Sequence, residues 1–213
     1  MTKKDFLRIG VFYDGTFFTY AQNYFWGQKY GWLDFQQFHK FLELYIETKM
    51  QGYFDYKIVY SAWFQGLHKA NSASEDNLRL DRNRHNDLLH AGIESKNLPM
   101  SESQGEKGID VYMAVETLQI GLDDKIDVAI LVTGDGDFVP LVRVLMKNGV
   151  RVGVAFFEFT EGKHKSFVNE RLVSAANFAI NINSLENDRD FKTNFKMLFR
   201  QSDDNRKTKR QTK

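Results

Sequence analysis

The sequence predicts an α/β domain built on a doubly wound, mainly parallel sheet of five or six strands. Three observations carry this. Val128, Ala129, Ile130, Leu131 and Val132 run without a polar break, as in a strand covered by helices on both faces. Strand-like runs alternate with helical stretches along most of the chain. Carboxylates follow strand ends: Asp14-Gly15 comes after the first run, and Thr133-Gly134-Asp135-Gly136-Asp137 after the buried one. Ligands of open α/β sheets bind at that carboxyl edge. The two glycines of the second turn are expected to supply backbone angles that other residues resist.

Residues 6–13 alternate Leu7, Ile9 and Val11 and make the first strand; the Asp14-Gly15 that ends it is also an ordinary turn pair. Half of the sixteen residues 17–32 are aromatic. That stretch is either a platform on which unpaired bases stack or an apolar lid or subunit contact, as in a homodimer. The scarcity of interleaved basic residues favours the second. Residues 34–50 form an amphipathic helix capped by Asp34, with Phe35, Phe38, Phe41, Leu42 and Tyr45 on one face. Residues 55–64 are the second strand and 65–73 a polar loop holding His68 and Lys69. Residues 74–91 form a helix whose outer side carries Arg79, Arg82, Arg84 and Asp87. Arg82 and Arg84 are candidate phosphate contacts, although a solvated helix face explains them as well. Residues 93–98 make a strand broken by Glu94, Lys96 and Asn97, which places it near an edge.

After a polar loop at 100–108, Asp110 opens a helix over 110–121, where its charge meets the dipole favourably. The buried strand follows, then a helix over 139–148 capped by Gly149 and a strand over 150–157. A helix over 163–176, a short strand over 178–182 and a last helix over 188–200 complete the chain. His39, His85 and His90 read as surface residues of helices. The organisation is one domain over 1–185, a C-terminal helix within 186–200 and a basic, disordered tail over 201–213. Residues 200–213 hold six basic and two acidic residues, which against a net charge of +1 leaves the body slightly acidic. The tail is either a solvated end or an auxiliary arm for nucleic acid.

Composition narrows the class. With 42% hydrophobic and 27% charged residues over 213 positions, the chain can bury a core and is not a disordered one. It has no cysteine, which removes disulfides and zinc–thiolate sites and fits a reducing compartment. No run approaches a membrane span and no leader pattern opens the sequence, so a cytoplasmic protein with no membrane partner is expected. Phosphate-loop, dinucleotide and nucleophile-elbow motifs are missing, and the five histidines form no pair at helical spacing.

The inferred topology adds something to the separate motifs. A helix leaving the third strand starts at the carboxyl edge, and the fourth strand returns parallel to the first. Asp14, Asp110, Asp135 and Asp137 therefore meet on one side of the sheet. Like charges at ~4 Å cost about 4 kcal/mol per pair at a surface-like dielectric, and a hard divalent cation removes that cost. All-oxygen donors favour Mg²⁺ or Mn²⁺ over Zn²⁺, and such ions activate water and neutralise phosphate charge. Thr16, Lys107 and Thr133 are candidates for supporting the carboxylates or contacting phosphate.

The blocks YDGT at 13–16, KGID at 107–110 and TGDGDFVPLV at 133–142, followed by VRV at 150–152, resemble the NYN domain, LabA-like branch, of the PIN-like nuclease superfamily. The resemblance covers roughly residues 7–182. It implies a three-layer α/β/α PIN-like fold and Mg²⁺- or Mn²⁺-dependent cleavage of RNA, single-stranded by expectation. The metal-binding and catalytic acids would be Asp14, Asp110, Asp135 and Asp137. One position departs: the family's asparagine in DGxN is Phe17 here, with Asn23 as a candidate substitute. The departure motivates an alternative, a catalytically weak NYN-fold module that binds RNA or a protein. A metal phosphohydrolase acting on small phosphoesters is a third reading.

Overall fold

The computed structural model describes residues 4–67, 74–100, 106–161 and 164–200. His68, Lys69, the middle of the 100–108 loop and the basic tail lie outside them.

Six parallel strands form the sheet: β1 (Lys4–Asp14), β3 (Tyr53–Leu67), β4 (Glu94–Pro99), β5 (Val128–Val132), β6 (Arg151–Phe156) and β9 (Phe178–Asn181), in the order β4-β3-β1-β5-β6-β9. The chain winds outward from β1 to one edge, then crosses back and winds to the other. The reversal lies between β1 and β5, and there a doubly wound sheet opens its crevice. The strand over 93–98 is at the edge, as its polar residues imply.

Side-chain alternation assigns each face its own core. Leu7, Ile9, Val11 and Tyr13 of β1 join Val128, Ile130 and Val132 of β5 in one cluster. It is covered by α1 (Gly15–Gly27), α2 (Phe35–Lys49) and α3 (Glu75–His90). Phe12, Ala129 and Leu131 point the other way, into a cluster under α4 (Ile109–Leu122), α5 (Val139–Lys147) and α6 (Glu170–Ala175). These are the three layers. Asp34 and Ser74 accept from Gln37 N–H and Asn77 N–H and cap α2 and α3, which fixes those helix starts where the polar residues preceded apolar periodicity. Among the described residues no helix is long and apolar enough to cross a membrane.

Several expectations need correction. Residues 17–27 are not a lid or a platform but most of α1. Phe18 and Phe25 are buried at 2% and 1% exposure, and ring contacts with Tyr13, Trp63 and Phe157 absorb them. Aromatic density hid a helical period that already held Phe18, Ala21, Gln22 and Phe25 on one face. The helix expected over 163–176 begins only at Glu170. Before it, β7 (Phe159–Glu161) and β8 (His164–Ser166) form a hairpin held to α1 by Tyr24 stacked on Phe159 at 3.8 Å. Lys165 N–H also donates to the Tyr20 hydroxyl at 3.0 Å. The last helix shortens to α7 (Lys192–Met197), because Phe199–Arg200 forms β10, antiparallel to β2 (Trp32–Leu33). Phe195 and Leu198 enter the same core as α1. His39 is not a surface residue either: its Nε2 is buried, with no hydrogen-bond partner among the described residues.

Candidate active site

β1 and β5 pair with Tyr13 opposite Val132, so Asp14 and Thr133 leave the sheet side by side at the reversal point. Asp14 is the N-cap of α1, with one carboxylate oxygen accepting from Phe17 N–H at 3.0 Å. The other accepts from the Thr133 hydroxyl at 3.1 Å. That hydroxyl accepts in turn from Asp135 N–H at 3.2 Å, and Asp135 accepts from Asp137 N–H at 2.9 Å. One chain of hydrogen bonds thus ties Asp14 to the turn that carries the other two acids. Thr133 is fully buried, while Asp135 and Asp137 are exposed.

The turn glycines serve differently from expectation. Neither Gly134 nor Gly136 has a positive φ. What they supply is room, since a β-carbon at Gly136 would lie 2.3 Å from the Asn169 amide nitrogen and one at Gly134 2.7 Å from the Phe167 carbonyl oxygen. Asn169 was hidden in the over-long helix expected at 163–176. The signal that could have found it is its place before Glu170, where it caps α6 by accepting from Arg171 N–H.

Asp110 sits exposed in the first turn of α4. Its pKa is raised by desolvation and then by the charges of Asp135, Glu106 and Asp137. Asp14 is pushed up to about 6, chiefly by burial, with Asp110 and Glu106 adding to it and the bonds from Phe17 and Thr133 opposing it. All four predicted aspartates thus share one electrostatic neighbourhood. It contains a fifth acid the sequence reading missed. Glu106 accepts from the Thr16 hydroxyl at 2.7 Å and from Gly66 N–H, joining the loop before α4 to α1 and β3. An acid directly preceding the KGID block was the available signal. Thr16 therefore holds an acid, and Lys107 is exposed beside it.

Among the described residues none of these five carboxylates takes part in an ion pair, although Arg8 and Asp127 at the opposite end of the strands are paired at 2.9 Å. The donor chemistry suits a hard cation: it is all-oxygen, and Asp14 and Asp110 are raised first by burial and then by neighbouring carboxylates. Among the described residues, however, no three His, Cys, Asp or Glu side chains are grouped closely enough to hold an ion. Asp110, Asp135 and Asp137 are exposed.

Of the two candidate arginines, Arg84 departs from the solvated face expected of it. Arg82 is exposed. Arg84 is half-buried and engaged, donating to Gln65 at 2.8 Å and Asp81 at 3.3 Å, with its guanidinium 5.9 Å from the Trp63 ring centroid. Asn23 lies more than two helical turns beyond Asp14 on α1, too far along the axis to replace an asparagine at position 17.

Residues 8–183, which hold this sheet and its acidic edge, match the NYN domain family. The chain belongs to that family. NYN domains are typically nucleases. A protein of unknown function from Vibrio parahaemolyticus has the same fold, with a TM-score of 0.58 at 22% identity over 90% of this chain and 99% of that one. A Red Sea brine-pool archaeal alcohol dehydrogenase aligns at a TM-score of 0.23 and 12% identity, over 86% of this chain and 46% of that one, too little to indicate a shared fold. No curated protein matches the sequence.

In the NYN domain, Trp63 packs against Gly15, the residue after Asp14. A β-carbon at Gly15 would lie 2.6 Å from the Trp63 indole and 2.7 Å from the Phe64 carbonyl oxygen. Gly15→Ala is therefore an overpacking change against a 2%-exposed ring and is expected to cost about 1–3 kcal/mol. Urea denaturation measures the loss; an unchanged midpoint would show that the ring moves freely.

Proposed function

We propose that this NYN domain, of the LabA-like branch, is a metal-dependent endoribonuclease acting on single-stranded RNA. The observation that carries the reading is the convergence of Asp14, Asp110, Asp135 and Asp137, with Glu106, at the sheet reversal without a paired cation. Those four aspartates would hold Mg²⁺ or Mn²⁺, which when bound supplies a hydroxide-like water and charge neutralisation at the phosphate. The chain's own part is positioning. Thr133 fixes Asp14 and the Asp135 backbone with one hydroxyl. Thr16 and Gly66 hold Glu106 at the rim, where its carboxylate orients an attacking water or takes its proton. Lys107, exposed beside Glu106, would meet the phosphate backbone.

End-labelled single-stranded and hairpin RNA, incubated with Mg²⁺, Mn²⁺ or EDTA, tests this. Metal-dependent cutting of the single strand is expected, and inert RNA under every condition would overturn it. Two observations favour a second reading, a weakly catalytic RNA- or protein-binding module: Phe17 stands in the asparagine position, packed on Phe157 at 5.8 Å, and the acids are not closed around an ion site. RNA retention without cutting is its expected result.

A further inference from the structure

A cavity of about 350 Å³ opens beside the acidic edge, between α1, α3, β2 and Trp63. It shares a wall with the acidic site. One edge of the Trp63 indole lies against Gly15, the residue between Asp14 and Thr16, while the same ring lines the cavity. Its other walls include the aromatic and neutral polar residues Trp32, Phe35, Thr19, Asn23 and Asn83, together with the charged Arg84, Asp87 and Arg200. Trp32 is 39% exposed and is supported by Trp26, with ring centroids 5.1 Å apart. The Thr19 hydroxyl is buried and has no hydrogen-bond partner among the described residues.

The two cations on the wall are already engaged. Arg84 donates to Gln65 and Asp81, and Arg200 is paired with Asp34 at 2.7 Å and Asp87 at 3.0 Å. The cavity is thus not built to take a phosphate. An aromatic surface with amide and hydroxyl groups around it suits a flat, uncharged heterocycle with a hydrogen-bonding edge. The volume, near the lower end for small-molecule sites, limits the occupant to about one such ring system.

We propose that this cavity binds one unpaired nucleobase of the RNA, stacked on Trp32, while the adjoining phosphate lies at the acidic edge. The assignment rests on the ribonuclease reading for its substrate. It explains why that substrate is single-stranded: a base held in a duplex cannot enter. It also makes the cavity, rather than the acids, the determinant of which nucleotide flanks the cut.

Isothermal titration of the full chain with the four common ribonucleoside monophosphates, and with ribose 5-phosphate as a base-free control, tests the proposal. At least one nucleotide is expected to bind and the control is not. Stacking is worth ~1–3 kcal/mol per base on alanine substitution, so Trp32→Ala should weaken binding by roughly fivefold to 150-fold, with Trp32→Tyr restoring most of it. Asn83→Phe, on an exposed helix position, should block the mouth without unfolding the protein. Equal binding of ribose 5-phosphate, no nucleotide bound at millimolar concentration, or affinities unchanged in both the alanine and phenylalanine variants would overturn it. The two readings fail separately. RNA cut by Trp32→Ala and Asn83→Phe with unchanged KM and unchanged cleavage pattern removes the base pocket and leaves the nuclease. Nucleotide binding that follows the variants, with no RNA ever cut, removes the nuclease and leaves the pocket.

Discussion

The Asp135→Asn, Asp137→Asn double variant is expected to lose RNA cleavage by at least about a thousandfold while folding normally. Both side chains are exposed, and their removal leaves no buried group unpaired. The Asp135 carboxylate accepts from Asp137 N–H at 2.9 Å, and an amide in its place keeps an oxygen able to accept from the same backbone N–H. The turn should therefore survive and the thermal midpoint stay within a few degrees. What disappears is charge. Replacing two anions with neutral amides removes half of the four aspartates proposed to grip the ion, and losing a single preorganised electrostatic contact already costs about 10²–10³ in rate. The same substitution should relieve Asp110, whose carboxylate is raised partly by these two neighbours. Its pKa, followed by NMR in EDTA, should move down. Full activity in the double variant would sink the four-aspartate site. Lost activity with an unmoved Asp110 would mean that the acids are farther apart in solution than the geometry requires.

Why the proximity of the candidate acids was legible and parts of the scaffold were not follows from the range of the signals. Val128–Val132 is a continuous apolar run because both faces are covered, and the acids after it are adjacent in sequence, so one window of residues contains strand, turn and chemistry. Asp110 needed only the inference that α4 starts where β4 ends. Glu106 was missed because its role is set by partners at Thr16 and Gly66, 90 and 40 positions away. The aromatic segment misled for a related reason. Its rings look alike in sequence, and which are interior depends on contacts with Phe157, Phe195 and Phe199 from the far end of the chain. The β7–β8 hairpin has strands of only three residues, too short for alternation to separate them from a helix start. Arg84 read as surface because helical spacing cannot report that Trp63 lies beneath it.

Stability should depend on pH through two buried groups that oppose each other. Asp14 is raised to about 6 from an ordinary 3.8, so the folded protein holds its proton more tightly than the unfolded chain. Its contribution is most favourable below pH ~4 and is lost as pH rises through 6, by about 3 kcal/mol. His39 is lowered by burial to about 4 from 6.5, and its contribution runs the other way. It is full above pH ~6.5 and is lost as pH falls through 4, again by about 3 kcal/mol. Between pH ~4 and 6 the two slopes largely cancel, and the wild type in EDTA should show a flat profile there. Asp14→Asn removes one side of the balance. Its amide can still accept from Phe17 N–H and cap α1, so the variant should be more stable than wild type at pH 7 and should weaken steeply on acidification. His39→Phe, whose ring stays next to Tyr13 in place of an imidazole 6.0 Å away, should instead gain stability as pH falls from about 6 to about 4. Urea unfolding of the three proteins across this interval reads both effects. Parallel curves for wild type and Asp14→Asn would mean that Asp14 is ionised at no cost in the fold. Adding Mg²⁺ or Mn²⁺ at neutral pH should then raise the wild-type midpoint more than that of Asp14→Asn, since only the wild type carries the buried charge that a cation offsets.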